Sequence, residues 1–135
     1  MSMSKWDFIN RLESIDGGFD KYRLKESDVT PDFIGKANQL FSILNIEPRK
    51  SPEFEAALGL TGSKVRKLIH WLRANGRPIV SSDKGYAIAI KPEELDPTIK
   101  QLIDRAFAIM AVALELEKTR EKMRLNGTGQ LELVG

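Results

Sequence analysis

Apolar positions along this chain recur mostly at the three- and four-residue spacing of a helix face, and leave that spacing in one short stretch. Near the N-terminus, Ser4 and Asp7 stand as in a capping box, and Phe8, Ile9, Leu12 and Ile15 follow at helical spacing until Asp16-Gly17-Gly18 stops the pattern. Phe19 to Val29 has no clear period and reads as an ordered connector. Thr30-Pro31 starts the next helix, because threonine caps free amides and proline at the first helical position has no amide to leave unsatisfied. Ile34, Ala37, Leu40, Phe41 and Leu44 then share one face. Ser51-Pro52, with Glu53 in the first turn, starts a helix of about seven residues whose Phe54, Ala57 and Leu58 face inward and which Gly59 ends.

Thr61 opens a third helix. Its Val65, Leu68, Ile69 and Leu72 fall within roughly a third of the circumference, at about 100° per residue, and form a buried stripe. Asn75-Gly76 is a stop signal, and Pro78 cannot continue the helix. Ile79 to Ser82 and Tyr86 to Ile90 read as two strands around the turn Asp83-Lys84-Gly85, a β-hairpin. A long helical pattern runs from Pro97 to Leu125. With Ile99 at heptad position a, Ala106, Ala113 and Arg120 share that position, while Leu102, Ile109, Leu116 and Met123 occupy every d position. Ile103, Phe107, Met110 and Leu114 make the stripe wider than a strict coiled-coil seam, so it suits an internal core face or a second copy of the chain. Its length favours a dimer seam built from Ile99, Leu102, Ala106, Ile109, Ala113, Leu116 and Met123.

The expected fold class is mainly α with a small β-hairpin, an α+β chain in four parts. These are an N-terminal helix and connector (1–30), a central domain (31–91), a long amphipathic helix (96–126) and a flexible tail (127–135). With 135 residues, 41% of them hydrophobic and 30% charged, the chain can bury one modest core plus extensions. It has no run of about 18 apolar residues, and Met1 to Asp7 lacks the apolar stretch of a signal peptide, so a cytoplasmic protein without a membrane segment is expected.

The absence of cysteine excludes disulfides, thiolate zinc sites and cysteine nucleophiles. His70 is the single histidine, which leaves the usual metal and acid/base chemistries short of parts; no metal or cofactor is expected. Glu93-Glu94 and Glu115/Glu117 are carboxylate pairs at spacings that diverge on a helix. Gly17-Gly18 and Gly127-x-Gly129 lack the strand, helix and lysine of a phosphate loop. A non-enzymatic role follows as the expectation.

Charge supplies the functional clue. Between Thr61 and Lys91 stand seven basic residues, Lys64, Arg66, Lys67, Arg73, Arg77, Lys84 and Lys91, against the one acid Asp83. That stretch is therefore +6 in a chain of formal charge +2. With the apolar stripe turned inward, the third helix presents Ser63, Lys67, His70 and Ala74, with Arg66 and Arg73 on one flank and Lys64 and Trp71 on the other. Arginine forks onto phosphate or guanine, lysine offers a mobile point charge, and the first-turn amides near Gly62 and Ser63 can hold a phosphate. Trp71 is expected at the helix-to-hairpin junction and Tyr86 at the core rim.

A short helix, the tight link Gly59-Leu60, a basic helix and a charged hairpin in that order resemble the winged helix-turn-helix fold, over Pro31 to Lys91. The segment from Leu60 to Arg73, with Gly76-x-Pro78-Ile79-Val80-Ser81 and Lys84-Gly85-Tyr86, resembles prophage-encoded proteins that pair such a domain with a C-terminal helix. This resemblance implies binding of double-stranded DNA, with helix 61–75 in the major groove and wing 78–90 on the backbone. Lys64, Arg66, Lys67, Arg73, Arg77 and Lys84 would contact phosphates, while Ser63, Lys67 and His70 would reach base edges. A dimeric sequence-specific transcriptional regulator in a bacterial host's cytoplasm is the default expectation, and a DNA-packaging recognition subunit is an alternative.

The tail Gln130-Leu131-Glu132-Leu133-Val134 is similar to the pentapeptide by which bacterial replication and repair proteins engage the sliding clamp. Val134 stands where that pattern has an aromatic, which removes anchoring area. Gln130, Leu131, Leu133 and Val134 would be the clamp contacts in a replication or recombination accessory protein; chance similarity of five residues is the competing reading.

Overall fold

A computed structural model describes Trp6, Asp7, Asn10, Arg11, Lys25, Ser27 and residues 29–127. Thr30 and Pro31 act as their chemistry requires. The Phe33 amide donates to Thr30 Oγ1 at 3.1 Å, and Pro31 begins α1 (Pro31–Ile43), which buries Ala37 and Leu40. The second helix, α2 (Ser51–Leu58), is ended by Gly59 in the left-handed region at φ 64°, a conformation that costs a residue with a Cβ. Thr61 then caps α3 (Gly62–Ala74) by accepting from the Lys64 amide at 3.2 Å. Strands β1 (Ile79–Ser82) and β2 (Gly85–Ile88) pair antiparallel, with Ile79 opposite Ile88 and Ser82 opposite Gly85. A 3-10 turn, Pro92–Leu95, leads into α4 (Asp96–Asn126). The described residues are thus mainly helical with one small antiparallel sheet.

The core lies where α1, α2 and α3 meet beneath the hairpin. Leu40, Phe54, Val65, Leu68, Leu72 and Ile79 are each almost wholly removed from water. Trp71 also turns inward. Its ring meets Phe33 of α1 edge-on, with centroids 5.9 Å apart, so it packs between α3 and α1 and not at the helix-to-hairpin junction.

Backbone pairing holds the hairpin in place from its outer edge. Arg49, in the link between α1 and α2, forms an antiparallel bridge with Tyr86, and the Ile88 amide donates to Asn45 O at 2.9 Å. The two backbones approach closely at Gly85, where φ is 117° and a Cβ would lie 2.1 Å from Arg49 O. The Arg49 side chain continues the clamp: its Nη2 donates to Ile43 O, and its guanidinium lies 4.9 Å from the Phe54 ring centre.

The first turns of α4 dock on the hairpin. Thr98 is buried and its Oγ1 accepts from the Ser81 amide at 3.1 Å, while Ser81 Oγ faces Gln101 Oε1 at 3.4 Å. At 31 residues, α4 is about 46 Å long by the standard helical rise, so most of it runs beyond this docking point. Farther along, Arg11 Nη2 meets Glu117 Oε1 at 2.5 Å.

Some sequence expectations need correction. Ala57 is exposed, because the short α2 turns only Phe54 fully inward and Leu58 partly so. The second strand begins at Gly85 and stops at Ile88; the Ala89 amide still donates across to Pro78 O at 2.9 Å, while the Ile90 amide donates to Glu94 Oε2 at 3.1 Å. A 3-10 turn, Pro92–Leu95, that the sequence pattern does not show precedes the long helix. Trp6, Asp7, Asn10 and Arg11 are helical. Ser4, Phe8, Ile9, Leu12 and Ile15, most of the 19–29 connector, and the tail with Gln130, Leu131, Leu133 and Val134 lie outside the described residues. Among the described residues no helix is long and apolar enough to cross a membrane.

Candidate functional site

The outer face of α3 follows from its inner one. With Val65, Leu68, Ile69 and Leu72 committed to the core, Ser63, Arg66, Lys67, His70 and Ala74 are left exposed. Ser63, Arg66, Lys67 and His70 line a common shallow groove beside Phe33 and Val29. No acid interrupts this face, since α3 contains none. The result is an exposed cationic ridge of side chains that carries hydroxyl and imidazole groups.

Three other predicted contacts lie off this face, and two of them, Lys64 and Arg77, are turned onto aromatic rings. Lys64 is half-buried, with Nζ 5.7 Å from the Phe33 ring centre, and so leans toward α1. Arg77 sits past the end of α3 with its guanidinium 4.9 Å from the Phe41 ring centre, which directs it away from the ridge. Lys84 stands exposed at the hairpin tip, and the Lys84 amide is held by Ser82 Oγ at 3.1 Å.

Arg73 differs most from the expectation of a free phosphate contact. It is half-buried, Nε donates to Ile79 O at 2.9 Å, and the guanidinium lies 5.9 Å from the Tyr86 ring centre. Burial holds its pKa below the usual arginine range; Tyr86 opposes that shift and Arg105 adds to it. Arg73 therefore ties α3 to the hairpin, and its Nη2 is buried with no hydrogen-bond partner.

The N-terminus of α3 also departs from expectation. A Cβ on Gly62 would lie 3.3 Å from Glu55 Oε2, and the same carboxylate oxygen accepts from Ser51 Oγ at 2.9 Å. A carboxylate of α2 thus lies beside the start of α3, where it complements the positive end of the α3 dipole.

Two cations the sequence left out enter beside the ridge. Arg105 of α4 shares a groove with Arg66, His70, Arg73 and Tyr86, and Lys50 joins Arg66, Arg73 and Arg105 in the neighbouring one. Lys50 sits at the cap of α2 and Arg105 lies 32 positions beyond Arg73, so only the tertiary fold unites them.

On α4 the predicted seam divides. Ile99 and Leu102 line a groove against Arg73, Pro78 and Ile79 of the central unit. Farther on, Ile109, Val112 and Leu116 are 65%, 61% and 63% exposed, which forms an uncovered apolar row; Ala113 is exposed too. Ala106 and Met123 are half-buried. Among the described residues no group of three His, Asp or Glu side chains is placed to hold a metal ion. Compared with protein-family models, with curated proteins and with solved structures, the chain has no match.

Proposed function

We propose that this protein binds double-stranded DNA as a winged helix-turn-helix module, with α3 in the major groove and the β1–β2 hairpin on the flanking backbone. The carrying observation is the acid-free outer face of α3, where Ser63, Arg66, Lys67 and His70 are all exposed above a fully apolar inner face. Arg66 and Lys67 would neutralise phosphates, and Ser63, Lys67 and His70 would reach base edges. The hairpin supports the reading because its backbone is fastened to the α1–α2 link and it carries Lys84 exposed at its tip. Arg73 serves as a strut between α3 and β1, and Arg77 is at most a peripheral contact.

The uncovered row Ile109, Val112 and Leu116 suits pairing with a second copy, and burying it would offset the cost of exposing apolar surface. Two linked ridges would bind a duplex with an avidity that one, in a chain of net charge +2, would lack. A prophage-type dimeric regulator of transcription is the biological role this arrangement fits. Fluorescence anisotropy of a labelled random duplex, titrated at several salt concentrations and competed with pooled fragments of the source genome, tests it. Salt-dependent binding that a few fragments compete away far better than the rest is expected. Equal competition by all fragments would remove sequence specificity, and no binding at low salt would remove the DNA reading.

A further inference from the structure

On the hairpin side of the ridge, a groove of about 470 Å³ opens between the start of α2, α3, the hairpin and α4. Its walls bring together Arg66 and Arg73 of α3, Arg105 of α4 and Lys50 at the cap of α2, and its one carboxylate is that of Asp83. Among the described residues Arg66, Arg73 and Arg105 form no salt bridge. Four cations line these walls against one acid, so the groove carries an excess of positive charge. Ser51, Ser81 and Ser82 also line the walls, though the Ser51 and Ser81 hydroxyls already donate to Glu55 and Gln101. Guanidinium forks and a lysine ammonium at one place match the several oxygens and multiple charge of a phosphate better than a lone carboxylate.

We propose that this groove binds a phosphate group and that its occupancy fastens α4 to α3 and the hairpin. Arg105 supplies the link, since it is the cation that α4 contributes. The site is distinct from the outer row Ser63, Lys67 and His70, though Arg66 borders both. The phosphate chemistry has two sources, a phosphodiester of bound duplex or a free phosphorylated small molecule. The inference does not depend on the DNA reading.

Inorganic pyrophosphate is the probe. Its effect on the melting temperature of the full chain is measured against sodium chloride at matched ionic strength, and its affinity by calorimetry, for wild type, Arg105→Gln and Lys118→Ala. Arg105 and Lys118 are both exposed, so neither change threatens the fold, and Lys118 pairs with Glu115 outside the groove. Expected is a rise of about 4 °C at saturation for wild type and Lys118→Ala. Arg105→Gln is expected to bind pyrophosphate roughly tenfold more weakly. A wild-type response no larger than that of chloride, or equal affinity in Arg105→Gln, would overturn the proposal. Labelled duplex then separates the sources: displacement of duplex by pyrophosphate assigns the groove to backbone phosphate, and simultaneous binding assigns it to a free phosphorylated ligand. Pyrophosphate binding without any duplex binding would uphold this site while refuting the DNA reading.

Discussion

The backbones of Arg49 and Tyr86 exchange both of their hydrogen bonds, Arg49 N to Tyr86 O at 3.1 Å and Tyr86 N to Arg49 O at 2.8 Å. With the Ile88 amide bond to Asn45 O, this pair stitches the α1–α2 link to the hairpin, and so sets the hairpin's position relative to α3. The close approach is possible because the neighbouring residue, Gly85, has no side chain.

Gly85→Ala should therefore damage the whole unit. A methyl group there would meet Arg49 O at 2.1 Å at a φ that side chains rarely adopt. A loss of about 3 kcal/mol is expected from chemical denaturation. An unchanged midpoint would mean that the link does not lie against β2.

Thr98→Val keeps the shape of the side chain and deletes the acceptor of the Ser81 amide. An amide left unsatisfied under the docked helix costs about 1–3 kcal/mol. Native-state hydrogen exchange should show faster exchange at Ser81, with α1–α3 little altered; unchanged protection would separate α4 docking from this bond.

Arg66 and Arg73 should respond oppositely to truncation. Arg73→Met removes the Nε bond to Ile79 O and should destabilise by about 1 kcal/mol, whereas exposed Arg66→Ala should stay within about 0.5 kcal/mol and instead weaken duplex binding. Paired melting and anisotropy measurements check the split. Equal stability of the two variants would contradict the strut assigned to Arg73.

Ile109→Glu combined with Leu116→Glu places charges on the uncovered row of α4. Light scattering should report a dimer for wild type and a monomer for the variant, with helical content retained by circular dichroism. A dimer that survives both changes would move the interface elsewhere.

The elements were legible where short-range chemistry decides them. Thr30-Pro31, Gly59 and Thr61 mark helix ends through caps and left-handed backbone, and the α3 stripe emerged from spacing alone. The Arg49–Tyr86 bridge was not legible, because one paired residue leaves no alternating pattern to read. Arg73 looked like a surface cation, since nothing local reveals that a carbonyl six residues on will hold it. Lys50 and Arg105 could not be assigned to the site from spacing, as they reach Arg66 only through the packing of α2 and α4. Trp71 was expected to be buried, but its neighbour Phe33 lies 38 positions earlier in the chain.

The most direct test of the DNA reading compares duplex affinity of wild type with that of Arg66→Ala/Lys67→Ala across a salt series. Wild type should weaken steeply with salt. The double variant should bind more weakly throughout, with a log–log slope shallower by roughly 1.8, as loss of two phosphate contacts requires. The same affinity and slope for both proteins would contradict the assignment of this face of α3 to DNA.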